Sequence, residues 1–324
     1  MQAIIVREIG SFEIADIKIP KPGRGDVLVK VAVTGLCRTD LKIIEAGHRD
    51  LVLPRVPGEE VVGIVYKTGP GVDSIRLGTS VYVYPGTSCG LCRTCRQGAP
   101  NLCPDMRIMG FHRDGGFAEY VTAPAASLIP IPTGLSFDEA VLAEPLSCCL
   151  NALELARVEP EDQVAIWGAG PAGTLLCRAT KALDAVPTVI EPDPRRRMRA
   201  GGVTGVSSGI FDAAIVATGS KEAYNQAIAC LGPRGRLVVF SGLPRDAAQI
   251  PVNFNTLHYR EQSITGAYGC SYRHGEQALA WIAQRRVPVA DMISHRLKLD
   301  DLGIALDLVR NRAGMKILLY LPKS

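Results

Sequence analysis

The first part of the chain is a series of short β-branched runs. Residues 26–35 (DVLVKVAVTG), 60–69 (EVVGIVYKTG) and 79–86 (TSVYVYPG) each close on Gly or Pro-Gly, and each predicts a strand. Thr39 to Ala46 predicts a short helix stopped by Gly47. From about residue 147 strands alternate with helices, the pattern of a parallel α/β sheet. An apolar strand (163–167) precedes a helix with Ala172, Leu175, Leu176, Ala179, Ala182 and Leu183 on one face. Residues 187–190, 212–219 and 236–240 predict further strands, and 221–231 a helix. Beyond about 270, GEQALAWIAQRR and LDDLGIALDLVRN read as helices before a last strand, MKILLYL. The fold class is therefore α/β, with a β-rich part over 1–146 and a doubly wound sheet over 147–269. There is no internal repeat and no low-complexity linker.

Composition changes little in this picture. A chain of 324 residues predicts two domains, and 47% apolar with 21% charged residues is ordinary for a globular enzyme. A net charge of +4 is too weak to point to nucleic acid or an anionic membrane. No apolar run approaches the roughly 18 residues of a membrane span, and the start, MQAIIVREIG, does not read as a signal peptide.

The cysteines carry more. Four of ten fall within CGLCRTCRQGAPNLC, spaced C-x2-C-x2-C-x7-C. In a cytoplasmic chain such a cluster holds metal more often than it forms disulfides. Four thiolates complete a tetrahedral zinc ion and leave no open position, so Cys89, Cys92, Cys95 and Cys103 read as a structural zinc site. An iron–sulfur cluster or unrelated thiols are the alternatives. Cys148, Cys149, Cys177 and Cys230 lie in apolar helical patterns as small core residues, and Cys270 has no evident role.

The strand at 163–167 runs into Gly168-Ala-Gly170-Pro171-Ala172-Gly173 and then a helix. Strand, GxGxxG and helix in that order make a dinucleotide fingerprint. The first glycine turns the chain, the second admits the pyrophosphate and the third lets helix meet strand, while the helix N-terminus supplies donors to the phosphates. The next strand ends at Glu191, 18 residues after Gly173. An acid there accepts from the adenosine ribose hydroxyls and repels a 2′-phosphate; Arg195, Arg196 and Arg197 follow and would attract one. Glu191 outweighs them, so NAD is expected ahead of NADP. Only residues 192–212 separate Glu191 from the next strand, too few for two helices and a strand, so this half of the fold should be abridged.

TGLCRTDLK, PGEEVVG, the four-cysteine segment, HRDGGFAEYV, AEPL, GAGPAG and MKILLYL, in this order, resemble the zinc-dependent medium-chain alcohol and polyol dehydrogenases, nearest the sorbitol, threonine and sugar-acid branch. The resemblance implies a GroES-like catalytic domain, a Rossmann domain, and a return of 270–324 to the catalytic domain. It implies a second, catalytic zinc on Cys37, Glu59 and Glu144, with Glu60 as alternate ligand. Glu59 stands where the family pattern has His, so one thiolate and two carboxylates give −3 against +2. A more anionic set predicts a more alkaline activity optimum and easier metal loss; His48 is out of place in the motif and reads as a turn residue. Loss of the catalytic zinc is the other reading of that substitution.

Further roles come from the same resemblance. Thr39 matches a proton-relay hydroxyl and Lys42 the end of that relay. Phe111, His112 and Arg113 match the loop lining the substrate cleft, Arg113 as a contact for a carboxylate or phosphate. Thr218, Gly219, Gly242 and Ala267 match the nicotinamide half of the cofactor site, Arg196 sits among the cofactor residues, and Lys316 is placed to reach the pyrophosphate. The implied partners are a small hydroxylated substrate and a second copy or more of the chain, dimer or tetramer. Alternatives on this scaffold are a zinc-free NADPH-dependent quinone or enone reductase and a non-catalytic dinucleotide-binding relative.

Overall fold

The computed structural model describes residues 1–205, 209–244 and 248–321. The chain divides into two compact units: Met1–Glu144 with Ser271–Gln284 and Pro288–Ser324, and Pro145–Cys270 with Arg285–Val287.

The first unit is built on a seven-stranded sheet. Its central strand, Asp26–Leu36, pairs antiparallel with Glu60–Thr68, with Tyr120–Pro124 and with the C-terminal strand Lys316–Tyr320. Beyond these lie Ser80–Val83 and Leu128–Pro130 on one side, and Ile293–Lys298, parallel to Lys316–Tyr320, on the other. Val27, Val29 and Val31 alternate into one apolar cluster with Val61, Val65, Val81 and Val83, as the two-residue period of a pleated strand requires. A second cluster gathers Ile4, Val6, Leu36, Leu41, Ile44 and Phe117 with Leu302, Leu306, Ile317 and Leu319. The last fifty residues thus share a core with the first fifty.

The second unit is a five-stranded parallel sheet in the order Val186–Ile190, Gln163–Trp167, Phe211–Val216, Leu231–Val239, Ser263–Gly266. Strand order reverses between Gln163–Trp167 and Phe211–Val216, the switch point beside which such sheets bind ligands. Among the described residues, the strand that would extend the sheet past Val186–Ile190 is reduced to one parallel bridge, Ile190 to Val203. The short stretch after Glu191 allows no more. The helix expected over 221–231 ends at Ala229, and Leu231 already starts the next strand, because Cys230 caps the helix.

Candidate active site and nucleotide site

Three neighbouring strands of the first unit bring the acid-rich centre together. Gly35 lies opposite Glu60 across one ladder and opposite Leu318 across the other. The chain leaves Leu36 into Cys37, the residue capping the helix Arg38–Ala46. Asp40, one turn in, accepts the Cys37 N–H at 2.9 Å, the N-cap to N3 reciprocity that fixes a helix start. Cys37 Sγ points at Glu59 Oε1, 3.8 Å away. Ligand atoms on a tetrahedral zinc ion stand about 3.5 Å apart, so this pair is spaced as two ligands of one ion.

The charges argue the same way. Burial pushes the Cys37 thiol well up, and Asp40, Glu59 and Glu60 push it further against the opposing Lys316. Burial, then Glu144, Asp40 and Glu60, raise Glu59 well above the carboxylate range. Asp40 rises to about 6, chiefly by burial, and its Oδ1 is buried without a hydrogen-bond partner. A thiol and several acids packed this way disfavour their own ionised forms unless a cation joins them. Cys37 and Glu59 have the chemistry and spacing of zinc ligands, but the ligand atoms of Cys37, Glu59 and Glu144 do not all close to within 4.8 Å of one another.

The structure corrects the expectation for Lys316. Its ammonium is 2% exposed and pairs with the Glu60 carboxylate, itself 1% exposed. Nζ also approaches the Leu36 carbonyl at 3.4 Å. It belongs to the acid centre of the first unit. Gly35 makes the pair possible: a Cβ there would lie 1.9 Å from Glu60 Oε2 and 2.8 Å from Lys316 Cε. Neither Gly35 nor Asp40 was singled out in the sequence; the C-x-x-D spacing after Gly35 is the signal that could have found them.

Arg113 is also corrected. Its Nη2 donates to the Pro85 carbonyl at 3.1 Å, its Nε is buried without a partner, and burial lowers it to about 10. It braces its own loop and does not reach outward toward an anion. Phe111 is buried against the His48 ring, and His112 is half-buried with Nδ1 accepting the Ile108 N–H at 3.1 Å. Thr39 is half-buried and Lys42 exposed on the Cys37 helix, and Glu144 is buried in the first turn of the helix Ala143–Leu155.

The four-cysteine segment closes into a cluster. The ligand atoms of Cys89, Cys92, Cys95 and Cys103 all lie within 4.8 Å of one another. The amides of Cys89 and Cys92 donate to Cys103 Sγ and Cys89 Sγ, both at 3.4 Å. The Thr94 hydroxyl, 3.1 Å from Cys92 Sγ, leads the hydrogen bonds that hold that thiol down to about 6. Thiolate ligands spaced and supported this way suit a closed zinc site.

In the second unit Gly168 takes φ +105°, and Pro171 opens the helix Pro171–Ala182. A Cβ on Gly173 would sit 1.8 Å from the Gly168 carbonyl oxygen, so only glycine lets this helix rest on its strand. Near Gly170 a Cβ would meet only Arg196 Nη1, at 3.8 Å, leaving the space a phosphate needs. Glu191 is buried, its two oxygens accepting the N–H groups of Ala169 at 2.7 Å and Asp193 at 3.0 Å. Arg197 turns back onto the Glu191 and Pro192 carbonyls, which leaves Arg196 as the arginine over the glycine loop. Thr218, Gly219, Gly242 and Ala267 follow the C-terminal ends of three successive parallel strands.

Comparison with known proteins agrees with this geometry. The alcohol dehydrogenase GroES-like domain matches residues 23–133, and the zinc-binding dehydrogenase domain matches residues 203–284. D-altritol 5-dehydrogenase of Agrobacterium fabrum is 30% identical over 319 residues, 93% of this chain and 94% of its own. A zinc-binding dehydrogenase of Sinorhizobium meliloti bound to NADP superposes with a TM-score of 0.91 at 28% identity, covering 98% of each chain. An Escherichia coli alcohol dehydrogenase complexed with NADH gives 0.91 at 26%, covering 99% of each. With a parallel nucleotide-binding sheet, a four-cysteine cluster and an acid-rich centre around Cys37, the chain belongs to the zinc-type medium-chain alcohol and polyol dehydrogenases, and is an NAD(P)-dependent oxidoreductase of that family.

Proposed function

We propose that the chain oxidises a secondary alcohol of a polyol, cyclitol, sugar or sugar acid, using NAD ahead of NADP. Cys37, Glu59 and Glu144 would hold the catalytic zinc, with Glu60 as alternate, and Cys89, Cys92, Cys95 and Cys103 the structural one. The approach of Cys37 Sγ to Glu59 Oε1 within a buried surplus of acids carries this reading.

When bound, the zinc supplies a Lewis acid for the substrate hydroxyl and the nicotinamide supplies the hydride acceptor. The protein's own groups do the rest. Asp40 fixes the Cys37 backbone and so the direction of its thiolate. Lys316 pairs with Glu60 and balances its charge. Thr39, two residues along the same helix, offers a hydroxyl that can take the substrate proton and pass it on. Lys42, i+3 from Thr39 and exposed, is where that proton leaves for water. Phe111 and His112 would face the substrate.

For the cofactor, the glycine loop would cradle the pyrophosphate with Arg196 beside it. The carboxylate of Glu191 keeps lone pairs for the ribose hydroxyls while its charge opposes a 2′-phosphate. Thr218, Gly219, Gly242 and Ala267 would hold the nicotinamide half. We place the protein in the cytoplasm, since its clustered cysteines serve as metal ligands, and as a homo-oligomer. The edge strand Ser263–Gly266, with Ile264 and the nearby Phe254 and Tyr259 exposed, is a surface a second copy would cover.

The test is metal analysis followed by an NAD(P)H absorbance assay over a polyol and sugar-acid panel. Two zinc ions per chain and NAD-linked oxidation are expected. One zinc per chain and no turnover on any member would overturn the reading. Lys42→Ala should flatten the pH–rate curve while substrate binding persists; an unchanged curve removes Lys42 from the proton path.

A further inference from the structure

The turn that follows the Cys37 helix is built more carefully than a surface turn needs. Gly47 takes φ +71°, and a Cβ there would meet Ile9 Cδ1 at 2.9 Å. The next residue, His48, accepts the Asp50 N–H on Nδ1 at 3.2 Å. The Leu51 N–H donates to the His48 carbonyl, and the Val52 N–H to the Phe111 carbonyl, each at 3.1 Å. The turn is thereby held against the 108–113 loop. The His48 ring stands edge-on to Phe111, centroids 4.9 Å apart at 70°.

Both imidazoles of this corner are set in the same way. Nδ1 of His48 is occupied by the Asp50 amide and Nδ1 of His112 by the Ile108 amide. Each neutral ring therefore carries its proton on Nε2, and Nε2–H is the donor each has left. Burial lowers the pKa of both. Asp50 opposes that for His48, while Lys42, Arg49 and His112 add to it. Asp50 also opposes it for His112, while Arg107 and Arg55 add to it. The charges facing this corner are thus Lys42, Arg49, Arg55 and Arg107 against Asp50 and Asp114. Arg49 is tied to Asp50 at 3.3 Å and Arg55 to Asp114 at 2.8 Å. Lys42 and Arg107 have no ion pair among the described residues. Two fixed imidazole donors in a positive surround, one just past the helix Arg38–Ala46 and one on the 108–113 loop, favour a negatively charged group and give a neutral polyol nothing to pair with the charge.

We propose that His48, with His112, is the specificity-determining end of the substrate site, and that it selects a polyhydroxylated substrate bearing an anionic end group, a carboxylate or a phosphate. This rests on the dehydrogenase reading of the Cys37 site and names its substrate class. His48 sets the orientation of the substrate tail and takes no part in bond making at the carbinol.

The zinc-loaded, full-length enzyme would be assayed with a matched six-carbon series: an alditol, the aldonate of the same configuration, and the alditol 1-phosphate. The wild type should show kcat/KM at least roughly tenfold higher for one of the two anionic members than for the alditol, the size expected of hydrogen bonds to a charged group. His48→Phe, which keeps the aromatic contact with Phe111, should reduce that ratio by about tenfold through KM, with kcat for the anionic substrate held. His48→Gln, which retains an N–H donor, should recover part of the ratio. The carboxylate and phosphate arms separate the two sources of charge. Oxidation of the alditol alone, or a ratio that His48→Phe leaves unchanged, overturns the inference and leaves the dehydrogenase reading standing. No turnover of any member by protein carrying two zinc ions overturns both.

Discussion

At Glu59 a carboxylate stands where an imidazole would leave the proposed metal-binding set neutral. Glu59→His is expected to make the catalytic zinc roughly tenfold harder to strip with a chelator and to move the pH optimum toward neutral. Equal chelator sensitivity in the two proteins would show that the acid is not a ligand. Lys316 belongs to the same balance. Lys316→Met leaves Glu60 buried and uncompensated, a change that costs about 3–5 kcal/mol. Denaturant melts should show the loss, and the Lys316→Met/Glu60→Gln double variant should regain much of it. The two imidazoles contribute to the acid side of the stability curve. Their pKa values lie below the ordinary 6.5 in the folded protein. Their contribution is therefore present above 6.5 and is lost as pH falls through the lowered values. Thermal melts between pH 7 and 5 should show a smaller acid-induced drop in His48→Phe than in the wild type.

Among the elements, the glycine turn and the helix Pro171–Ala182 were legible because their demands are local. A strand, two residues of turn and a helix start need glycine at fixed offsets, and the sequence has them. Only the structure supplies the tolerance: with 1.8 Å to the Gly168 oxygen, Gly173→Ala must drive the helix off its strand. That variant is expected to lose NADH binding in a fluorescence titration and to melt at lower temperature than Gly170→Ala, whose Cβ meets almost nothing. The abridged stretch after Glu191 could also be read in advance, because a crossover has a minimum length. The short strands Gln2–Ile5 and Glu13–Asp16 were not, since neither run is long enough to show a period. In the cysteine segment the spacing alone pointed to four ligands, and Cys92→Ser should remove one zinc per chain.

On the scale of the whole molecule, the two compact units are interleaved in sequence. The closing strand Lys316–Tyr320 pairs with Asp26–Leu36 nearly three hundred residues earlier. Such pairing is expensive in chain entropy and is made worthwhile by the shared core of Leu36, Ile317 and Leu319. Truncation before Lys316 should therefore do more than shorten a terminus. It would open the first unit's core and remove the partner of Glu60, and the truncated chain is expected to be insoluble or to lose cooperative unfolding by calorimetry. Among the described residues no helix is long and apolar enough to cross a membrane.

What the amino-acid sequence determined by itself was the class of chemistry: a glycine turn between strand and helix, four cysteines at metal-ligand spacing, and an ordered set of motifs around Cys37, Glu59 and Glu144. These follow from local geometry, where a few residues and their offsets are the whole requirement. The tertiary structure alone decided which charges face one another. Lys316 reads as an ordinary strand residue until three strands place it beside Glu60 and the bare backbone of Gly35. Arg113 reads as an outward contact until its loop folds inward, and His48 as a turn residue until Phe111 and His112 close on it. Electrostatic partnership depends on distance through space, and in a sheet of distant strands that distance is set by pairing and packing rather than by position along the chain.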